Sequence, residues 1–332
     1  EYTLKQIELL EESVYEYNLH LKNHSRNSTA AFVMLNLAQI LNKIGDLRSS
    51  LQESGIESKQ EALAILSELS KEHPEFTKRE AAIYLKAIIL STLKADKKSL
   101  ETWRSLAKIA QKSLYGVHAH IAIGDHYFKT EKANRALKEY KLAENLLKKI
   151  ELSKKDFEML RIQYRKIWAS YRSANLKTTI STGIKILQPD RVGHLKDMQM
   201  KIKEDAIQLI GDALFEMNDL FFTKATIKRN ILKEYAGKIT LRTLRNYAIN
   251  KVYNDLIELG EYTLRIYPAN NAAPEILAVL ADAYKQKKNI TKRIHSLEKL
   301  SLFLPEQSLW RSRFKDDYTA IKKMEKLALA AA

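Results

Sequence analysis

Apolar residues in this chain recur at three- and four-residue intervals almost from end to end, and strict two-residue alternation is nearly absent. That periodicity selects helices over strands before any other property is considered. In residues 30–44, Phe32, Leu35, Ile40 and Leu41 fall on one broad stripe, the pattern of a helix with one buried face. Similar blocks place about sixteen helices along the 332 residues, among them 2–20, 58–72, 115–130, 133–150, 192–217, 219–235 and 307–326. Only 9 Gly and 5 Pro are present, too few for many hairpin turns or phosphate-cradling loops. The prolines follow helical blocks, at His73-Pro74, Gln188-Pro189, Tyr267-Pro268 and Leu304-Pro305. Proline lacks the N–H that a helix interior needs and biases the preceding residue away from helical dihedrals. Pro268 and Pro305 stand 37 residues apart, close to the length of one helix-turn-helix repeat.

Residues 120–143 carry the clearest repeat. Ile123-Gly124 is followed by Tyr127, and Ala136 by Tyr140 and Ala143. Two antiparallel helices approach closely only where small residues such as Gly124 and Ala136 occupy the crossing, with Tyr127, Tyr140 and Ala143 packing around it. This spacing resembles the tetratricopeptide superfamily. Partial matches recur at Ile210-Gly211-x2-Leu214, Leu280-Ala281-x2-Tyr284 and Leu264-x2-Tyr267-Pro268. The fold class expected is therefore all-α, a tetratricopeptide-like α-solenoid (a right-handed superhelix) of about eight helix-turn-helix hairpins rather than a generic helical bundle. It is expected as a single array over 1–332, with acidic helices and an insertion in 1–57, a repeat body in 58–306 and a capping helix in 307–327. Gly45-Asp46 reads as a helix stop, and residues 46–58 as a polar loop.

The resemblance implies that the first helix of each hairpin lines a groove for a peptide or helix of another protein. In the best repeat the groove-facing side chains would be His118, Ile121, Asp125, Phe128 and Lys129. Members that capture a terminal carboxylate use Lys and Asn where this chain has Ile121 and Asp125, so that clamp is not expected. Residues from about 205 to 310 also loosely resemble repeat proteins of bacterial envelope and gliding-motility machinery. The features are Asp212-Ala-Leu-Phe-Glu-Met-Asn-Asp219, Tyr262-x4-Tyr267-Pro268-x5-Pro274-Glu275 and Ser308-Leu309-Trp310. They suggest a setting in an envelope, motility or secretion assembly. A chain beginning at Glu1 leaves localisation open, with periplasm or envelope slightly favoured, and a membrane would be met only through a partner or a removed anchor.

The formal charge is +16, with no cysteine, which excludes disulfides, thiolate metal sites and a cysteine nucleophile. Residues 1–72 hold 7 basic and 11 acidic side chains, and the remainder 49 and 29. The densest basic stretch is Lys224, Lys228, Arg229, Lys233, Lys238, Arg242 and Arg245. On one continuous helix these would form a positive face for an acidic protein or a polyanion, or a merely solvated one. Nearby aromatics, Phe221, Phe222, Tyr235 and Tyr247, stand at core spacing, which argues against nucleic acid. Glu16, His20 and His24 are spaced i, i+4, i+8 as three zinc ligands on one helical face would be, but the sequence names no fourth ligand and places His24 in the loop before Ser28, so they read as a solvated face. No phosphate-binding glycine loop, nucleophile elbow or zinc-protease motif occurs, so neither enzyme chemistry nor a cofactor is expected. Trp310 either caps the last hairpin or stays available to a partner.

Overall fold

The computed structural model describes residues 2–24, 29–151, 155–188, 196–303, 305 and 307–331. Among them are seventeen α-helices, one 3-10 turn and no strand. The chain forms two compact units, residues 1–153 and 154–332. Pro189 falls outside the described residues.

In the first unit, α1 (Tyr2–His24) leads into three hairpins: α2 (Ala30–Ser50) with α3 (Ile56–Glu72), α4 (Arg79–Thr92) with α5 (Asp96–Ile109), and α6 (Leu114–Lys129) with α7 (Ala133–Lys149). The first helices of successive hairpins, α2, α4 and α6, also touch one another and form one layer. Their inner faces bury Leu35, Leu41, Ile89 and Ile123 against Leu66 of α3 and Leu106 of α5. Each such side chain fully removed from water is worth roughly 1.5–3 kcal/mol. At the α6–α7 crossing Gly124 lies under the Tyr140 ring, and a Cβ there would stand 2.5 Å from Tyr140 Cε1. Ala136 and Ala143 are fully buried beside it.

In the second unit, α8 (Lys155–Arg172) pairs with α9 (Leu176–Ile186), and α10 (Lys196–Met217) is followed by the short α11 (Leu220–Ile227) and the 3-10 turn (Asn230–Leu232). Next come α12 (Ala236–Ile249) with α13 (Tyr253–Ile266), α14 (Ala273–Gln286) with α15 (Ile290–Ser301), and finally α16 (Leu309–Arg313) and α17 (Tyr318–Ala331). Here α8, α10, α12, α14 and α17 touch in sequence, a second layer of first helices. The core runs from Ile167, Ile184 and Ile210 to Leu244, Leu259 and Ile276.

Two different stop signals occur. Two second helices end at a proline, α3 before Pro74 and α13 before Pro268, whereas α5 and α7 end without one. First helices end in a residue with positive φ: Gln52, Lys94, Glu131, Ala174, Asn218, Lys251 and Lys288. The amide two positions beyond helix continuation then closes back on the last turn, as in Lys132 N–H to Tyr127 O (2.8 Å), Asn175 to Ser170 (2.8 Å), Val252 to Tyr247 (2.9 Å) and Asn289 to Tyr284 (2.9 Å). These six-to-one bonds satisfy carbonyls that the helix end would orphan. They set nearly the same sharp reversal at each hairpin, with no glycine at the left-handed position.

Three expected boundaries are corrected. α2 continues through Gly45-Asp46 to Ser50, because Gly45 serves a close approach rather than a stop. A Cβ there would lie 2.7 Å from Gly55 O, and Asp46 pairs with Lys59 at 2.7 Å. The connection shrinks to residues 51–55. The expected helix over 219–235 breaks after Ile227, its apolar content being spent on the 3-10 turn that buries Leu232. The 307–327 segment is two helices, since Phe314 turns inward against Trp310 at 5.1 Å between ring centroids.

Candidate protein-binding faces

In the first unit one stripe of α6 carries Tyr115, His118, Ala122, Asp125 and Lys129, spaced by three and four residues; Tyr115 and Ala122 pack against the core, and of the five only Lys129 is exposed. Tyr84 of α4 stands against its N-terminal end, with ring centroids 5.2 Å from Tyr115, 5.7 Å from His118 and 5.5 Å from Trp103. Trp103 is itself fixed by its indole N–H donating to Ser91 Oγ at 3.2 Å. A groove of about 680 Å³ opens beside this cluster, between Asn36 and Gln39 of α2, Lys78 and Arg79 at the start of α4, and Tyr115. Ser113 donates to the Glu80 carboxylate and ties the two hairpins at its floor. Lys78 lies over the Phe32 ring at 5.2 Å, and Phe32 meets Phe76 edge-on at 4.9 Å. Side-chain amides that both donate and accept, two exposed cations and flat aromatic walls suit an extended peptide backbone with acidic or apolar side chains.

The residues expected to face a groove divide. Asp125 accepts a hydrogen bond from the Tyr140 hydroxyl at 2.7 Å and so braces the hairpin. Lys129 is exposed, and His118 and Phe128 are half-buried. Ile121 does not face a groove: at 6% exposure it belongs to the core, about 80° round the helix from the centre of the Tyr115–Lys129 stripe.

In the second unit the layer of first helices is laced by polar links. Tyr164 of α8 donates to Asp205 of α10 at 2.7 Å, and Tyr171 to Glu216 at 2.6 Å. Arg242 of α12 grips Asp212 of α10 through two bonds, 2.6 and 3.0 Å, and Asn246 donates to the same carboxylate at 2.6 Å. Arg245 then reaches Glu275 of α14 at 2.7 Å, where Lys323 of α17 joins it at 2.7 Å. Burial, reinforced by the acceptor carboxylate, raises the Tyr164 and Tyr171 phenols above their ordinary range. The hydrogen bond to Asp212 raises Arg242 further still.

This lacing corrects the single-face reading of the basic stretch. Lys224 sits on α11, paired with Glu258 and over the Tyr262 ring at 5.5 Å. Arg242 and Arg245 belong to α12 and are spent on acidic partners. Lys228, Arg229, Lys233 and Lys238 are exposed; Lys224 and Lys228 still stand one helical turn apart, but the 3-10 turn at Asn230–Leu232 breaks the continuous helix that would have set Arg229 and Lys233 on the neighbouring row. The acidic partners stand 30 residues away, in Asp212–Arg242 and Arg245–Glu275. A search for charge pairs at repeat spacing would have found them; a search along one helix does not. Trp310 is resolved as a cap, 1% exposed, with its indole N–H donating to Asn270 O at 2.8 Å.

Among the described residues no group of His, Asp and Glu could hold a metal ion, and no helix is long and apolar enough to cross a membrane. No protein-family model matches the chain, and no curated protein sequence matches it. Among solved structures, BtubC (BKLC) from P. vanneervenii is similar over 75% of this chain and 93% of its own, at TM-score 0.51 and 14% identity. Yeast Tom70 aligns over 98% of this chain and 60% of its own, at TM-score 0.38 and 13% identity. The P58(IPK) TPR domain aligns over 99% and 98%, at TM-score 0.28 and 11% identity. The likeness to BtubC shows the fold, and the hairpins show its repeat: an all-α, tetratricopeptide-like array.

Proposed function

We propose that the chain is a non-enzymatic scaffold that holds a segment of another protein in the groove formed by α2, α4 and α6. The observation that carries this reading is the groove's lining: Asn36 and Gln39 offer amides, Lys78 and Arg79 offer charge and Tyr115 offers an aromatic wall, with Tyr84 packed behind Tyr115 and Phe32 under Lys78. Little of this set is needed for packing, since Asn36, Gln39, Lys78 and Arg79 are exposed. The dispersal of the 224–245 cations over several elements, with Lys224, Arg242 and Arg245 paired with carboxylates, favours this reading over a polyanion-binding one. A setting in a bacterial envelope, motility or secretion assembly rests on the resemblance of residues 205–310.

The test is site-specific photo-cross-linking in the native cell, with the photoreactive residue placed at Gln39, at Tyr115 and, as a control, at Lys149 at the end of α7. Gln39 and Tyr115 should yield the same adduct, and Lys149 none. The double variant Asn36→Ala, Gln39→Ala should weaken the purified complex about tenfold, equivalent to roughly 1.4 kcal/mol, with its melting temperature unchanged. Adducts at Lys149 but not at the groove would overturn the reading.

A further inference from the structure

A second recess lies on the opposite kind of surface, in the second unit between second helices α13 and α15, and it has two connected parts. One, of about 420 Å³, is lined by Arg265, Lys292, His295 and Lys299 with the single acid Glu261. Glu261 is occupied: it accepts from Tyr284 and from Lys292 at 3.3 Å. The other, of about 410 Å³, is apolar, walled by Leu302, Phe303, Leu309 and Trp310. Leu264, Leu277 and Lys299 border both parts, so the recess runs from a basic mouth into an apolar seat. Leu302 and Leu309 at its rim are 70% and 77% exposed.

The chain itself displays the complementary shape. On α1, residues 4, 8, 12, 15 and 19 fall within a strip about 80° wide at 100° per residue. They are Leu4, Glu8, Glu12, Tyr15 and Leu19, all exposed, with Leu4 at 49%, Tyr15 at 67% and Leu19 at 41%. Glu11, beside the strip, is already taken by Arg48. An exposed helical face that alternates leucine, glutamate and tyrosine is a face built to be covered.

We propose that α1 of a second copy docks in the α13–α15 recess, its Tyr15 or Leu19 seated against Leu302, Phe303 and Leu309 and its Glu8 and Glu12 against Lys299 and Arg265. Surface and recess are different patches of one chain, so the contact is heterologous and joins copies head to tail. Charge opposition favours this occupant: an acidic strip meets a mouth of three Lys and Arg side chains against one acid that is already bonded.

Sedimentation velocity on the full chain tests it. Self-association should appear with rising concentration and weaken as salt increases. Arg265→Glu, Lys299→Glu and, separately, Glu8→Gln, Glu12→Gln should each weaken it at least tenfold, with unchanged helical circular dichroism. Mixing the two variants should restore a 1:1 dimer that grows no further, because only one intact strip and one intact recess can then meet. A chain that stays monomeric at about 100 μM in low salt overturns the proposal. So does a mixture that does not recover, since that outcome marks a symmetric or non-specific contact.

Discussion

Replacing Ala174, Lys251 and Lys288 together by glycine should stabilise the second unit although no contact is gained. The three residues hold φ of 53°, 59° and 58°, where the Cβ of an L residue crowds the following carbonyl oxygen at roughly 1–2 kcal/mol each. All three are exposed, so little packing is lost with the side chain. Glycine removes the crowding but surrenders more chain entropy on folding, about 0.5–1 kcal/mol. The balance is roughly 0.5–1 kcal/mol per turn, or about 2 kcal/mol for three turns that lie a repeat or more apart and should add. In urea the midpoint should rise at constant slope. In a thermal scan the unit's transition should move up by about 4–8 °C, at the 2–4 °C per kcal/mol of a chain this size. Gln208→Gly, at an exposed interior position of α10, is the control and should cost about 1 kcal/mol. If the triple variant melts at or below the parent while the control falls as expected, the left-handed turns are not the strained punctuation of the array.

Gly124→Leu should cost roughly 1–3 kcal/mol, because the Tyr140 ring already stands where the new Cβ would go; chemical unfolding of the first unit followed by circular dichroism reads this directly. Tyr247→Phe should be neutral or stabilise by up to about 1.5 kcal/mol at pH 7, since this hydroxyl is buried without a hydrogen-bond partner in the structure. Burial, aided by the charge of Asp255, pushes the Tyr247 phenol up to about 12. Its share of stability is therefore complete below the ordinary phenol value near 10 and is lost as pH climbs from there towards about 12. Urea midpoints taken between pH 8 and 11.5 should fall for the parent and fall less for Tyr247→Phe; identical curves would mean that this phenol ionises as it does in the unfolded chain.

The residues that failed to announce themselves share a cause. Proline stops were legible at Pro74 and Pro268 because proline acts through its own covalent geometry, whatever surrounds it. The other stops were not legible: Lys94, Glu131 and Lys288 adopt a glycine-like conformation that their side chains oppose and the packed hairpin enforces. Gly45 misled for the complementary reason. Its missing side chain looked like a stop and is instead the space into which the backbone at Gly55 fits. Trp310 could be placed amid helical spacing, but its choice between cap and free surface depends on the Asn270 carbonyl forty residues upstream.

Periodicity and composition by themselves determined that this chain is helical, that its helices pair into hairpins near the length of one repeat, and that Gly124, Ala136 and Tyr140 form a crossing. These are local properties, decided by which side of a helix is apolar and by what fits between two helices in contact. Only the tertiary structure decided which charges are available. Asp212 neutralises Arg242 and Glu275 engages Arg245 from about thirty residues away, while Asn36, Gln39, Lys78 and Tyr115 converge on one groove from three hairpins. Coulomb attraction and groove shape depend on distance in space, and in a repeat array that distance is set by stacking one hairpin on the next.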